Sequence, residues 1–222
     1  MHPAGTLFGP TICRTADSSS VALTFDDGPN PAITPALLDL LDGHGVRATF
    51  FLIGAFVRQC PALAREIAAR GHFIGNHTET HPNLLWLAPG SLAGELRRCQ
   101  EAIAEAVGAP PVWMRPPYGF RGPQLPPVLR ELGLRPPVLW SVSAHDWRPQ
   151  PAGRVVQRLR RVRGGDIVLM HDGDHRRLGG DRQHTLGAIA HWLPRWKDTG
   201  LCFVAPGAPG DSTALRTPAT GA

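Results

Sequence analysis

Residues 23–30, LTFDDGPN, stop an apolar run on two adjacent aspartates and follow them at once with Gly28 and Pro29. Successive side chains on a strand point to opposite faces, so Asp26 and Asp27 would diverge if the strand ran on. A Gly-Pro break directly after the pair frees the chain from the pleat, and both carboxylates can then turn into one site. A plain Asp-Gly turn is the other reading of the same residues. The fold is decided by how often the pattern recurs, because other apolar runs also end on a reactive polar group.

Strand-like runs occur at SVALTF (20–25), ATFFLIG (48–54), HFIGNH (72–77), PVWMRPP (111–117), PVLWSVS (137–143), DIVLMH (166–171) and LCFVAP (201–206). Helical patterns lie between them: TPALLDLLDGHG with Thr34 as N-cap, CPALAREIAARG, SLAGELRRCQEAIAEAVG, GPQLPPVLRELG, PAGRVVQRLRRVRGG and QHTLGAIAHWLPRWKDTG. Alternation of this kind predicts a parallel sheet with helical crossovers. The fold class is therefore α/β, and seven units predict a distorted, incomplete (β/α)7 TIM-like barrel, with an open doubly wound sheet as the alternative. In such barrels chemistry sits where strands end. Asp26, His77, RPPYG, Asp146 and His171 all fall at or just beyond strand ends, so they gather at one rim.

A chain of 222 residues, 42% hydrophobic, predicts one core and one domain. We place that domain at 20–206, after a short N-terminal extension (1–19) and before a tail, 207–222, whose polar, unpatterned sequence predicts disorder. The formal charge of +5 owes much to the arginines between 154 and 165, which alternate with Val155, Val156, Leu159 and Val162 as the solvated face of a helix does. No nucleic-acid partner is expected from charge alone. Cys13, Cys60, Cys99 and Cys202 are scattered, which predicts buried free thiols rather than a zinc knot or a disulfide framework. No run is long enough to span a membrane and no signal peptide is visible, which leaves the location open between cytoplasmic as written and exported if a leader was removed; a monomer is expected.

NHTETHPN places His77 and His81 four residues apart, bracketing a loop or a first helical turn. On a helix that spacing would set both imidazoles on one face within reach of a single metal ion. A carboxylate from the first strand end would complete a set of two histidines and one acid, which leaves positions open for water and substrate. One aspartate suffices as ligand, and the other is then free to take a proton from water.

TFDDGP, HTETH, RPPYG, SAHDW and IVLMHD, in this order between residues 24 and 172, resemble the five motifs of the polysaccharide deacetylases, the NodB-homology domain of carbohydrate esterase family four. The resemblance implies hydrolysis of the N-acetyl amide of amino-sugar units, of chitooligosaccharide or peptidoglycan type, with release of acetate. It implies that Asp27, His77 and His81 hold one divalent metal, zinc first, with cobalt, nickel, manganese or iron accepted by the same donors. Asp26 would be the general base, oriented by Arg115, and the backbone N–H of Tyr118 would help stabilise the oxyanion. His171 would be the general acid, oriented by Asp146, and Trp147 and Leu169 would wall a pocket for the acetyl methyl.

The resemblance has one departure. The family's fourth motif usually starts with an aspartate where this chain has Ser143, and a local change in hydrogen bonding is expected there. Alternatives are an O-acetyl esterase on an acetylated glycan, a catalytically silent carbohydrate-binding homologue and a non-haem iron oxygenase; the last leaves the second aspartate, His171 and Asp146 without a role. The loop GDHRRLGGDRQH brings Arg176, Arg177 and Arg182 near the expected rim, where an anionic glycan is one reading and a solvated loop the other.

Overall fold

The computed structural model describes residues 7–207. Strand β1 (Ser20–Gly28) is central and pairs in parallel with β2 (Thr49–Leu52), β5 (Ile167–His171) and β6 (Cys202–Phe203). Strand β3 (Phe73–Asn76) extends the sheet beyond β2, and β4 (Val142–Ser143) extends it beyond β5, giving the order β3-β2-β1-β5-β4. Helices α1 (Thr34–Gly43), α2 (Gly54–Gln59), α3 (Pro61–Ala69), α4 (Pro89–Val107), α5 (Leu125–Glu131), α6 (Ala152–Leu159) and α7 (Gln183–Asp198) make the crossovers. The result is a distorted (β/α)7 barrel whose sheet does not close.

Prolines explain the gap. PVWMRPP forms no strand and keeps only one parallel bridge, Met114 with Asn76, because Pro110, Pro111, Pro116 and Pro117 have no N–H to give a ladder. PVLWSVS shrinks to Val142–Ser143 for a similar reason, after Pro136 and Pro137. Its start is stitched to the N-terminal segment instead, where Ile12 bridges Val138 and the Leu139 N–H donates to the Ile12 carbonyl at 2.7 Å.

Every residue of β1 is buried, as a strand covered on both faces must be. Val21, Leu23 and Phe25 pack outward against the helices in the main core. Ala22 packs inward with Phe51, Trp113, Val138 and Ile167, and above it the inward series continues as Thr24 and Asp26. The pleat breaks one residue earlier than the Gly-Pro pair suggested. Asp27 has φ 70°, and the register with β2 slips between Asp26 and Gly28. This bulge sets the second carboxylate beside the first.

Several sequence expectations shift. Helix α1 begins at Thr34 with Ile33 as its cap, and α2 lies in a stretch with no helical pattern of its own. On α6, Val155 and Leu159 are buried with Val156 packed against the core, and just beyond its end Val162 also packs on the core while Arg160 and Arg161 are exposed. The cysteines are free, yet only Cys99 is buried, and Cys202 is exposed. Residues 208–222, the bulk of the tail expected to be disordered, lie outside the described residues.

The bulge depends on close contact with the segment after β5. A Cβ on Gly173 would stand 1.9 Å from the Asp27 carbonyl oxygen, a backbone atom that cannot rotate away. Gly173→Ala should therefore lower unfolding stability by about 1–3 kcal/mol, the usual cost of overpacking. Gly43→Ala, where a Cβ meets nothing within 4 Å, should be neutral or slightly stabilising; urea unfolding of the two variants checks the contrast.

Candidate active site

Asp26 and Asp27 are almost fully buried, at 4% and 2% exposure, and both reach His77. Its Nε2 lies 3.4 Å from Asp27 Oδ1 and 3.8 Å from Asp26 Oδ2. His81 Nε2 lies 3.3 Å from the same Asp27 Oδ1. One ligand atom from each of Asp27, His77 and His81 falls within 4.8 Å of the others. The two histidines meet through a loop, the first of the two readings their spacing allowed, and not through a helical turn. Thr78 and His81 both have positive φ, 70° and 59°, and the turn is held by Asn76 Oδ1 accepting from the Thr78 N–H and Thr78 Oγ1 accepting from the His81 N–H.

These three residues fit a cation. Asp27 Oδ1 is buried with no hydrogen-bond partner among the described residues. The His77 Nδ1–H donates to the Arg115 carbonyl at 2.8 Å, which leaves its Nε2 lone pair facing the carboxylates. Burial, reinforced by the neighbouring His77, pushes the His81 imidazole down to about 3, so it is neutral, as a ligand must be. Burial pushes the Asp27 carboxyl up, but the hydrogen bond from His175 and the charge of His171 outweigh it, and the group stays well below the usual carboxylate range.

Arg115 has no solvent exposure. Its Nη1 donates to Asp26 Oδ1 at 2.8 Å and to Thr24 Oγ1 at 2.7 Å, while Nε and Nη2 donate to the carbonyls of Val138 and Leu139, each at 3.1 Å. The guanidinium stacks over Phe51 at 4.3 Å. Opposite, His171 at the end of β5 donates its Nδ1–H to Asp146 Oδ1 at 2.8 Å and its backbone N–H to Asp146 Oδ2 at 2.9 Å. Burial would lower the His171 imidazole, but the Asp146 charge and hydrogen bond prevail and raise it to about 9. Asp146 itself is held by the Thr185 hydroxyl at 2.7 Å.

Trp147 is 44% exposed with its ring 6.2 Å from that of His171, and Leu169 shares the inward face of β5 with His171. Tyr118, also with positive φ, packs edge-on against His81 at 4.7 Å. Ser143 Oγ accepts the His145 N–H at 3.2 Å. Arg182 does not face solvent; it is buried and donates to the Trp147 and Asp181 carbonyls.

Sequence reasoning passed over His175, whose backbone N–H lies 3.3 Å and whose Nδ1 lies 3.5 Å from Asp27 Oδ2. It is four residues after His171, the spacing of His77 and His81, and that repeat was the available signal. Asp172 was also passed over: burial pushes its carboxyl up to about 7, the Thr34 hydroxyl donates to it, and Gly28 is pressed against it with 2.6 Å for any Cβ.

The family model for polysaccharide deacetylase matches residues 14–137. A chitooligosaccharide deacetylase of Azorhizobium caulinodans is 37% identical over 89% of this chain and 97% of its own length. The peptidoglycan-N-acetylglucosamine deacetylase PgdA of Listeria monocytogenes is 39% identical over 73% of this chain, which spans only 34% of that relative. Among solved structures, the Bc1960 peptidoglycan N-acetylglucosamine deacetylase superposes with a TM-score of 0.79 at 33% identity, covering 88% of this chain and 89% of its own.

Arg115→Met would leave Asp26 a buried charge without its counterion and two carbonyls without donors. We expect a loss of roughly 3–5 kcal/mol of stability, as for other broken buried pairs. Asp26→Asn added to Arg115→Met should recover part of that loss, and a double-mutant cycle by urea unfolding measures the recovery.

Proposed function

The chain belongs to the polysaccharide deacetylase family, and from that premise we propose that it hydrolyses the N-acetyl amide of amino-sugar units in a chitooligosaccharide- or peptidoglycan-type glycan, releasing acetate. The observation that carries this reading is the meeting, at one rim, of an aspartate–histidine–histidine cradle with a histidine whose carboxylate partner keeps it protonated at neutral pH. The names of the relatives support the two glycan classes.

Asp27, His77 and His81 would hold one divalent metal. Zinc suits two imidazoles and a carboxylate with open positions, and cobalt, nickel, manganese or iron suit the same donors. When bound, such an ion polarises a carbonyl oxygen and lowers the pKa of water.

In this reading Asp26 is the general base. Arg115 holds Asp26 Oδ1, so Oδ2 is the oxygen that accepts the proton of the attacking water as its oxygen bonds to the acetyl carbon. The Tyr118 backbone N–H donates to the developing oxyanion. As the C–N bond breaks, His171 gives its Nε2 proton to the departing nitrogen, and Asp146 stabilises the imidazolium beforehand through Nδ1. Acetate and a free amine leave. Trp147 and Leu169 bound the space for the methyl group. A cationic His171 favours amide over ester cleavage, because an amine must be protonated to leave and an alkoxide needs that help less.

Asp26→Asn should reduce turnover by about 10²–10⁴-fold, the usual worth of a general base, with the metal retained, and Asp27→Asn should lose the metal. Acetate release from a panel of N- and O-acetylated glycans, with and without chelator, reads both; metal loss in the Asp26 variant with activity in the Asp27 variant would reverse the roles, and release from O-acetyl substrates alone would overturn the amide assignment. Tyr118→Phe should be mild, since the proposed donor is backbone.

Protonated His171 is the active form, so kcat should fall as pH rises through about 9. Asp146 is what raises the imidazole, so in Asp146→Asn burial prevails and the alkaline limb should move to lower pH. A limb that stays in place in the variant would remove His171 as the acid.

A further inference from the structure

We infer that His175, on the loop between β5 and α7, is a positioning residue for the metal-binding carboxylate, holding one oxygen of Asp27 so that the other faces the histidine pair. The inference rests on the reading of Asp27, His77 and His81 as a metal site.

The two oxygens of Asp27 have different surroundings. Oδ1 is the one nearest the Nε2 atoms of both His77 and His81, at 3.4 and 3.3 Å, and accepts no hydrogen bond among the described residues. Oδ2 faces the His175 backbone N–H at 3.3 Å and its Nδ1 at 3.5 Å. A carboxylate with one oxygen held by donors presents the other in a single orientation, and a metal site is tuned by such outer contacts as well as by its ligands.

The His175 ring is itself held. It stacks on His81 with centroids 4.2 Å apart and planes 19° apart, and Tyr118 stands edge-on to it at 5.7 Å with its hydroxyl 3.4 Å from Nε2. His175 therefore touches two of the three candidate ligands, the carboxylate through Nδ1 and His81 through its face. It is not a fourth member of the cradle, because no atom of it joins the group of ligand atoms that lie within 4.8 Å of one another.

The test measures affinity for zinc alone, by competition with a chromophoric chelator, in the parent chain, His175→Ala and His175→Asn. Alanine keeps the backbone N–H and removes the imidazole, whereas the asparagine amide places an N–H donor near the position of Nδ1. We expect His175→Ala to weaken zinc binding about 10- to 100-fold, the range for such outer contacts, and His175→Asn to recover most of it, with thermal melts showing all three folded. Alanine binding zinc as tightly as the parent overturns the inference, as does an asparagine variant no better than alanine. A parent that binds no zinc overturns the metal reading itself. A parent that binds zinc and releases no acetate overturns the proposed function and leaves this inference standing.

Discussion

A guanidinium with no access to water organises this molecule. Where the chain should supply strand ladders between β3 and β4, prolines leave only isolated bridges, and Arg115 spans the gap by donating to Thr24 on β1 and to the carbonyls of Val138 and Leu139. The same residue accepts the Nδ1–H of His77 on its carbonyl, and its N–H donates to the Asn76 carbonyl. Bracing the open side of the barrel and shaping the site are thus one set of bonds. A buried guanidinium is tolerable only because four hydrogen bonds and the Asp26 charge replace its lost hydration, which ties the position of Asp26 to the integrity of the fold.

Backbone conformation shows where local preference gives way. Among the described residues the non-glycine positions with positive φ are Asp27, Thr78, His81, Tyr118 and His145. Each costs of order 1–3 kcal/mol when held outside its ordinary range, and a β-branched threonine is the least suited to it. All five lie in segments that carry or flank the candidate site. The surrounding bonds, Asn76 to Thr78 and Thr78 to His81 among them, hold conformations that the isolated segments would not favour.

This explains what was legible in the sequence. Strands β1, β2, β3 and β5 and the longer helices declared themselves by periodicity, since burial on both faces forces continuous apolar runs. Motif residues at strand ends were likewise visible, as the barrel rim predicts. Hidden were features set by contacts distant in sequence: the bulge at Asp27, which depends on Gly173, and the left-handed loop that brings His77 to His81. His175 was hidden for the same reason, because its partner Asp27 is 148 positions away. The prolines of PVWMRPP were in plain view, yet the apolar run outweighed their missing donors.

Two histidines at this rim show how the partner on Nδ1 divides labour between chemically identical side chains. Both His81 and His171 are buried, and burial by itself favours the neutral ring in each. His81 Nδ1 has no partner among the described residues, so burial prevails and the ring stays neutral, as the proposed ligand role requires. His171 Nδ1 bonds a carboxylate that is itself buried and held by Thr185, so the charge of Asp146 prevails and the ring keeps the proton that the proposed acid role requires. Exchanging those partners would exchange the chemistry. The site therefore needs Asp146 within reach of His171 Nδ1 and no carboxylate within reach of His81 Nδ1, a constraint on placement that no motif expresses.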